Sequence, residues 1–441
     1  MSPTVKTQKL RMISELNQRV SAKTAGRSSL LAGLCALTFG FSGIAALAQD
    51  PDPIEVTGSM SVVVGSVDGD LEADADARLQ ATGSTDMDSG LELGAVASVR
   101  ADGDAVPGQF GGGRYSSLLA GGTRGDGGDS GDVFLEGAYL FARGGFGSLH
   151  IGRDQGVASR LAVTSPTIFR SIGVNDWQTD LTGLNDVHTV NDFSGQATKF
   201  TYMPPGGLFG GAIGQLQLGL SYAPSLGECG EGRCSPVAGF LVDSSGSLVA
   251  PEQSWRDVLE TAVYYENGLD LGQEPLTIGF SASYVRADED GPSPETVDAL
   301  GPLFGDYRSY AVGLNLAIGN FTLGGSVKST NTGLNEDRDE DYLAFDAGVT
   351  YAAGEWNFML GYGAADAARD ASLLVNPNTD VPFLANGLDR ETQTAQAGIS
   401  YVFDHGVTLG AAAQFVDSEK GDVLGGPEEA AAIVFESSIK F

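Results

Sequence analysis

The sequence predicts an all-β protein, a transmembrane antiparallel barrel of about sixteen strands. Three observations predict it. The last segment alternates strictly, with Ile433, Phe435, Ser437, Ile439 and Phe441 on one side and Val434, Glu436, Ser438 and Lys440 on the other. A period of two with a greasy face, a wet face and an aromatic end is the pattern of a strand set between lipid and water. Beyond residue 48, no uncharged apolar run approaches the roughly 20 residues that a spanning helix needs. Long and short connections alternate along the chain, as in a barrel with turns on one side of the bilayer and loops on the other. A water-soluble sandwich or solenoid gives no reason for that segregation.

Composition alone does not reveal this, since 42% apolar residues and a mean hydropathy of −0.02 also fit a soluble protein of several domains. A barrel hides in such averages because each strand gives only half its residues to lipid. The 63 glycines suit tight turns and crowded walls.

The first 48 residues stand apart. Lys6, Lys9, Arg11, Arg19, Lys23 and Arg27 face the single acid Glu15, and no charge occurs from Leu30 to Ala48. A basic region, an apolar stretch and Ala46-Leu47-Ala48 before Gln49 make an export signal with a small-residue cleavage site. Residues 1–48 are therefore expected to be cleaved, with translation starting at Met1 or Met12. A retained anchor is the alternative, disfavoured by the glycines in the stretch. Leu34 before Cys35 is too large for a lipidation signal. Residues 49–53 follow as a short N-terminal segment, and 54–441 as the barrel.

Alternation and turn signals place strands near 54–65, 71–82, 91–101, 132–142, 148–154, 197–204, 215–223 and 257–266. Eight more fall near 276–286, 308–318, 321–330, 342–352, 355–365, 392–403, 407–417 and 431–441. Fourteen or eighteen strands also satisfy the pattern. The long connections are 102–131, 155–196, 224–256, 287–307, 331–341, 366–391 and 418–430. On that side only 66–70 is short. Both termini then belong to the short-turn, periplasmic side.

Parity assigns the faces. In the second strand Leu71, Ala73, Ala75, Ala77, Leu79 and Ala81 interleave with Glu72, Asp74, Asp76, Arg78, Gln80 and Thr82. No protein core would accept the second set, so it faces water inside the barrel. The small alanine face suits contact with another subunit. Elsewhere the outer face is bulkier, with Trp356, Phe358, Leu360 and Tyr362, or Phe321, Leu323 and Val327. Tyr222, Tyr265, Tyr284, Tyr351, Tyr401 and Phe403 lie near strand ends, where either aromatic girdles or plain β-propensity would put them.

Removing a leader of six bases and one acid takes the formal charge from −32 to about −37. That excludes nucleic acid as a partner, since binding it needs a basic footprint. Cys229 and Cys234 flank Gly-Glu-Gly-Arg, and in an exported chain such a pair forms a loop disulfide in preference to a metal site lacking further Cys or His.

Phe146-Gly147-Ser148-Leu149-His150-Ile151-Gly152-Arg153 runs from a short turn into a strand and opens the longest loop. This resembles the entry to the third loop in the general porins of Gram-negative outer membranes, and the terminal Phe441 resembles their assembly signal. The resemblance spans residues 54–441. It implies a homotrimer of sixteen-stranded barrels in outer-membrane lipid, exported by a cleaved signal, in which residues 155–196 fold inward as a constriction. Asp176, Asp180, Asp186 and Asp192 lie in that loop. Such porins often set loop acids against wall arginines. The matching positions are Arg78 and Arg100, with Lys440 added, but here these bases mix with Glu72, Asp74, Asp76 and Glu92, so a strong transverse field is not expected.

Inward parity gives acids Glu55, Glu72, Asp74, Asp76, Glu92, Glu136, Glu260, Asp346 and Glu436 against bases Arg78, Arg100, Lys199, Lys328 and Lys440. Carboxylate rings favour cations, so weak cation preference is expected unless these acids lie away from the narrowest point. Asp126, Asp129 and Asp132, and a run from Glu336 to Asp341, crowd carboxylates on outer loops. No cofactor is expected, and structural Ca²⁺ or Mg²⁺ there competes with simple solvation. The histidines are His150, His188 and His405, with no GxSxG elbow and no HExxH, so catalysis is not expected. The resulting function is passive diffusion of ions and small hydrophilic solutes. Rival readings are a solute-selective porin and a structural or adhesive surface barrel.

Overall fold

The computed structural model describes residues 54–102, 132–175, 181–206, 214–226, 241–242, 248–249, 254–270, 272, 274–290, 305–331, 342–367, 371–375, 382–386, 390–403, 406–420 and 426–441. The leader, Asp126, Asp129, Asp176, Asp180, Cys229, Cys234, His405 and the acidic run at 336–341 lie outside them.

Sixteen strands close into one antiparallel barrel, each paired with the next and the last with the first. They are β1 Ile54–Val67, β2 Asp70–Asp86, β3 Glu92–Asp102, β4 Asp132–Gly144, β5 Gly147–Arg153, β6 Thr198–Met203, β7 Gln215–Ser225 and β8 Ser254–Asp270. The rest are β9 Pro275–Asp290, β10 Tyr307–Ile318, β11 Phe321–Thr330, β12 Tyr342–Ala353, β13 Trp356–Ala367, β14 Arg390–Val402, β15 Val407–Lys420 and β16 Glu428–Lys440. Two small hairpins, Leu241–Val242 with Leu248–Val249 and Ala371–Val375 with Pro382–Asn386, stand outside the ring. Every segment expected from alternation is a strand, and several run longer than expected. Their extra residues are polar, as in Asp288, Glu289 and Asp290 of β9, because hairpins continue into water where no apolar face is needed.

The exceptional first connection is a two-residue turn, Asp68 at φ 48° and Gly69 at φ 99°. Positive φ at both places is a type I′ turn, whose twist suits a tight hairpin. Closure is made by the carboxy-terminus. Ser59 of β1 faces Lys440 of β16, and Gly58 and Phe441 exchange backbone hydrogen bonds of 2.9 and 3.0 Å. A closed ring leaves no open edge, which lipid would not tolerate.

One face of the wall is apolar and exposed, including Leu323 at 55% and Phe435 at 59%; the other is polar and largely buried. Rings gather near strand ends on the apolar face: Phe321 with Tyr351 at 4.5 Å, and Tyr401 with Trp356 at 4.9 Å and Phe403 at 4.6 Å, flank the short turns. Tyr284 and Tyr310, at 4.9 Å, gather toward the other end.

Candidate functional site: the polar face and the 154–197 segment

Described parts of the connection between β5 and β6 touch the polar face from β7 round to β1. The segment is rooted at Asp154, whose carboxylate takes two hydrogen bonds from Arg160, 2.6 and 2.7 Å, and one from Gln155 N–H at 2.8 Å. His150 Nδ1 lies 2.9 Å from the same carboxylate, and its Nε2 lies 2.8 Å from Ser148 Oγ. The imidazole is 2% exposed and stacks on Tyr139 at 4.9 Å. Burial would raise Asp154, but the His150 hydrogen bond and the Arg160 charge outweigh it and hold this carboxyl below its ordinary range.

A single helical turn, α1 (Val157–Arg160), follows the root. Val157 N–H donates to Ser221 Oγ at 3.0 Å, and Ala158 N–H to Glu260 Oε2 at 3.3 Å. Gly156 lies so close to Glu260 that a Cβ would overlap its carboxylate. Further on, Val163 N–H reaches Ser281 Oγ at 2.9 Å and Ser165 N–H reaches Asp346 Oδ1 at 3.0 Å. Arg170 and Ser171 N–H both reach Glu436, each at 2.8 Å, one on each oxygen. Phe169, immediately before them, covers Gly398 and Gly410, where side chains would collide with its ring.

The return half is held the same way. Thr189 Oγ donates to Asp346 Oδ2 at 2.8 Å, and Asn191 Nδ2 to Ser283 Oγ at 2.9 Å. Arg390 Nη1 lies 2.7 Å from Asp186 Oδ2. Lys328 Nζ donates to Val190 O at 2.6 Å, and Lys199 Nζ to Ser194 Oγ at 2.6 Å and Gly195 O at 2.8 Å. Asp192 binds His188 Nε2 at 2.9 Å; burial would raise it, yet the charges of His188 and Lys328 hold it low. Phe193 stacks on Tyr307 at 3.5 Å and meets Trp255 edge-on at 5.6 Å.

Glu260, Asp346 and Glu436 are therefore backbone acceptors for this segment. Hydrogen bonds to charged groups contribute about 1.5–3 kcal/mol each, and a buried carboxylate without donors would be costly. Sequence reading counted these three only as acids of the wall, and it missed Arg160, Arg170 and Arg390. The available signal was a single inward carboxylate on a strand whose other polar-face residues carry no charge, as with Asp346 on β12.

The remaining expected residues lie on β1–β4 and at the closing strand. Arg78 pairs with Glu136 at 2.5 Å, Arg100 with Asp76 at 2.5 Å, and Arg143 with Glu92 at 3.7 Å. Asp74 is buried and Glu72 half-buried on the same strand. Asp132 opens β4. Lys440 is exposed at the end of β16 beside a cavity of about 600 Å³.

The family profile for Gram-negative porins matches residues 33–421. The chain belongs to the Gram-negative porin family. This porin is thus an outer-membrane channel built as a transmembrane barrel. Among solved structures it is similar to an anion-selective porin from Comamonas acidovorans, at 15% identity and TM-score 0.51, covering 88% of this chain and 99% of that one. It is also similar to OmpF of Salmonella typhi, in a complex with daunomycin, at 15% identity and TM-score 0.51, covering 88% and 97%. At such identities the likeness is one of fold. No curated protein matches this porin. Among its described residues, no group of three or more His, Cys, Asp or Glu is arranged to hold a metal ion.

Proposed function

We propose that this porin passes ions and small hydrophilic solutes by passive diffusion, and that residues 155–196 lie across the lumen and narrow it. One observation carries the reading. Among the described residues, the segment is bonded to the polar face from β7 round to β1, while on β2–β4 Arg78 and Arg100 pair with the wall's own Glu136 and Asp76. A peptide that reaches wall positions around most of a closed ring fits only inside it. The passage then runs between the segment and β2–β4.

Glu72, Asp74, Asp76 and Glu136 outnumber Arg78 and Arg100 on that face, which supports weak cation preference. A reversal potential in a KCl gradient tests the sign: excess potassium permeability is expected, and chloride selectivity overturns it. Liposome swelling tests the transport class. Flux falling with sugar size, whatever the sugar, fits general diffusion; flux confined to one solute class favours a selective porin, and none favours an adhesive barrel.

Assembly as a homotrimer rests on the resemblance and on the small face of β2. Cleavage after Ala48 and a Cys229–Cys234 disulfide complete the proposed mature protein. A divalent ion on the acidic loops would show as a chelator-sensitive trimer in an unboiled gel. The order Ser148–His150–Asp154 is that of a hydrolase triad, but we read it as a clamp on the root of the segment. Asp154 is gripped on both oxygens by Arg160, so its charge serves a guanidinium as well as the imidazole.

A further inference from the structure

We propose that Arg170 and Lys440 form a subsite within the barrel for the oxyanion group, carboxylate or phosphate, of a small solute. The inference rests on the channel reading above and goes beyond it. Both residues line the cavity of about 600 Å³, together with Ser171, Thr408, Ser438 and Asp76. Arg170 Nη2 donates to Ser59 Oγ, and Ser59 stands opposite Lys440 in the β1–β16 register. Paired strands lie about 4.8 Å apart, so the position that bears Lys440 adjoins the serine that Arg170 bonds.

Their charges are unmatched. Arg78, Arg100, Arg160 and Arg390 each hold a carboxylate, on Glu136, Asp76, Asp154 and Asp186. Neither Arg170 nor Lys440 has an ion pair with any described residue. The carboxylates of Glu436 and Asp76 lie near them, and both already hold other donors. Glu436 takes the backbone N–H groups of Arg170 and Ser171, and Asp76 takes the Arg100 guanidinium.

That engagement of Glu436 also fixes Arg170. With the backbone pinned at two successive amides, the guanidinium starts from a set position and loses little freedom on binding. Its planar fork suits a carboxylate or phosphate, Lys440 adds a second charge, and the hydroxyls of Ser171, Thr408 and Ser438 supply neutral donors. Net charge decides which ion is commoner in the lumen; this pair decides where an oxyanion pauses. Arg78, also opposite Ser59 in the β1–β2 register, extends the basic row by one strand.

The test is current through the full-length protein in planar bilayers at about 0.1 M KCl, where the Debye length is near 10 Å. Succinate, inorganic phosphate and glucose are added in turn. Block or excess noise with succinate or phosphate and none with glucose is expected, and R170Q or K440Q should raise the half-blocking concentration at least about fivefold. R170K should restore part of it, which separates charge at this site from a misplaced segment. Conduction with no oxyanion block, or block unchanged in the R170Q K440Q double variant, overturns the subsite and leaves the channel reading intact. Calorimetric titration of succinate into the detergent-solubilised protein reads binding without conduction: heat lost in the double variant supports the subsite, and no heat with native protein contradicts it.

Discussion

Arg390 Nη1 of β14 lies 2.7 Å from Asp186 Oδ2, with the two side chains 7% and 2% exposed. Thr392 Oγ adds a second donor at 3.3 Å, and Tyr342 OH donates to the Asp186 carbonyl at 2.5 Å. The middle of the 154–197 segment is thereby tied to two strands by one residue. Removing one partner of a buried pair leaves an uncompensated charge and costs about 3–5 kcal/mol. R390Q should therefore speed amide hydrogen exchange in residues 181–197 by a factor of 100 or more while leaving the strands protected. Combining it with D186N should recover part of the loss. Equal protection in native and R390Q protein would show that the pair holds nothing.

Phe169 packs on Gly398 and Gly410, and a Cβ on either glycine would overlap its ring. G410L should displace the ring and loosen the Glu436 contact beside it. Overpacking of this kind costs about 1–3 kcal/mol. The unfolding midpoint in an unboiled gel series should fall, and the conductance should change with it. A variant that matches native protein in both would place Phe169 elsewhere.

Asp154 and Asp192 are both held below the ordinary value of 3.8. A depressed carboxyl stabilises the folded state above its unfolded pKa, and that contribution is lost as pH falls through the depressed one. The segment should thus keep its root and return contacts from neutral pH down to about 4 and loosen below that. Hydrogen exchange of residues 181–197 against pH measures this, and D192N should flatten the lower part of the profile. Loosening centred near pH 6 would contradict the assignment.

Ser148, His150 and Asp154 make a hydrogen-bonded row with distances of 2.8 and 2.9 Å. If it is a clamp, H150N should weaken the root, and neither native protein nor S148A should hydrolyse nitrophenyl esters above the buffer rate. Turnover abolished by S148A would make the row a catalytic site.

The barrel was legible because alternation is forced on every strand that separates lipid from water. Leu323 against Thr322, or Phe435 against Glu436, carries that information locally. The segment was legible only as a place and a length. Whether Glu436 faces open water or two amides depends on Arg170 and Ser171, more than 260 positions away. Parity predicts a direction, and only folding supplies the neighbour. His150 shows the same limit: its place at the entry to the long loop was readable, whereas its row with Ser148 and Asp154 arises where the strand ends and the chain turns.

The most direct test of the central claim, a closed wall with lipid on its apolar face and water on its polar one, uses neighbouring positions of β11. Nitroxides are placed at L323C or T322C in reconstituted protein whose Cys229 and Cys234 are changed to serine, and relaxation by oxygen and by a water-soluble nickel chelate is compared. The label at position 323 should respond to oxygen and be shielded from nickel, with the reverse at 322. The same response at both positions would contradict the barrel and every function assigned to it.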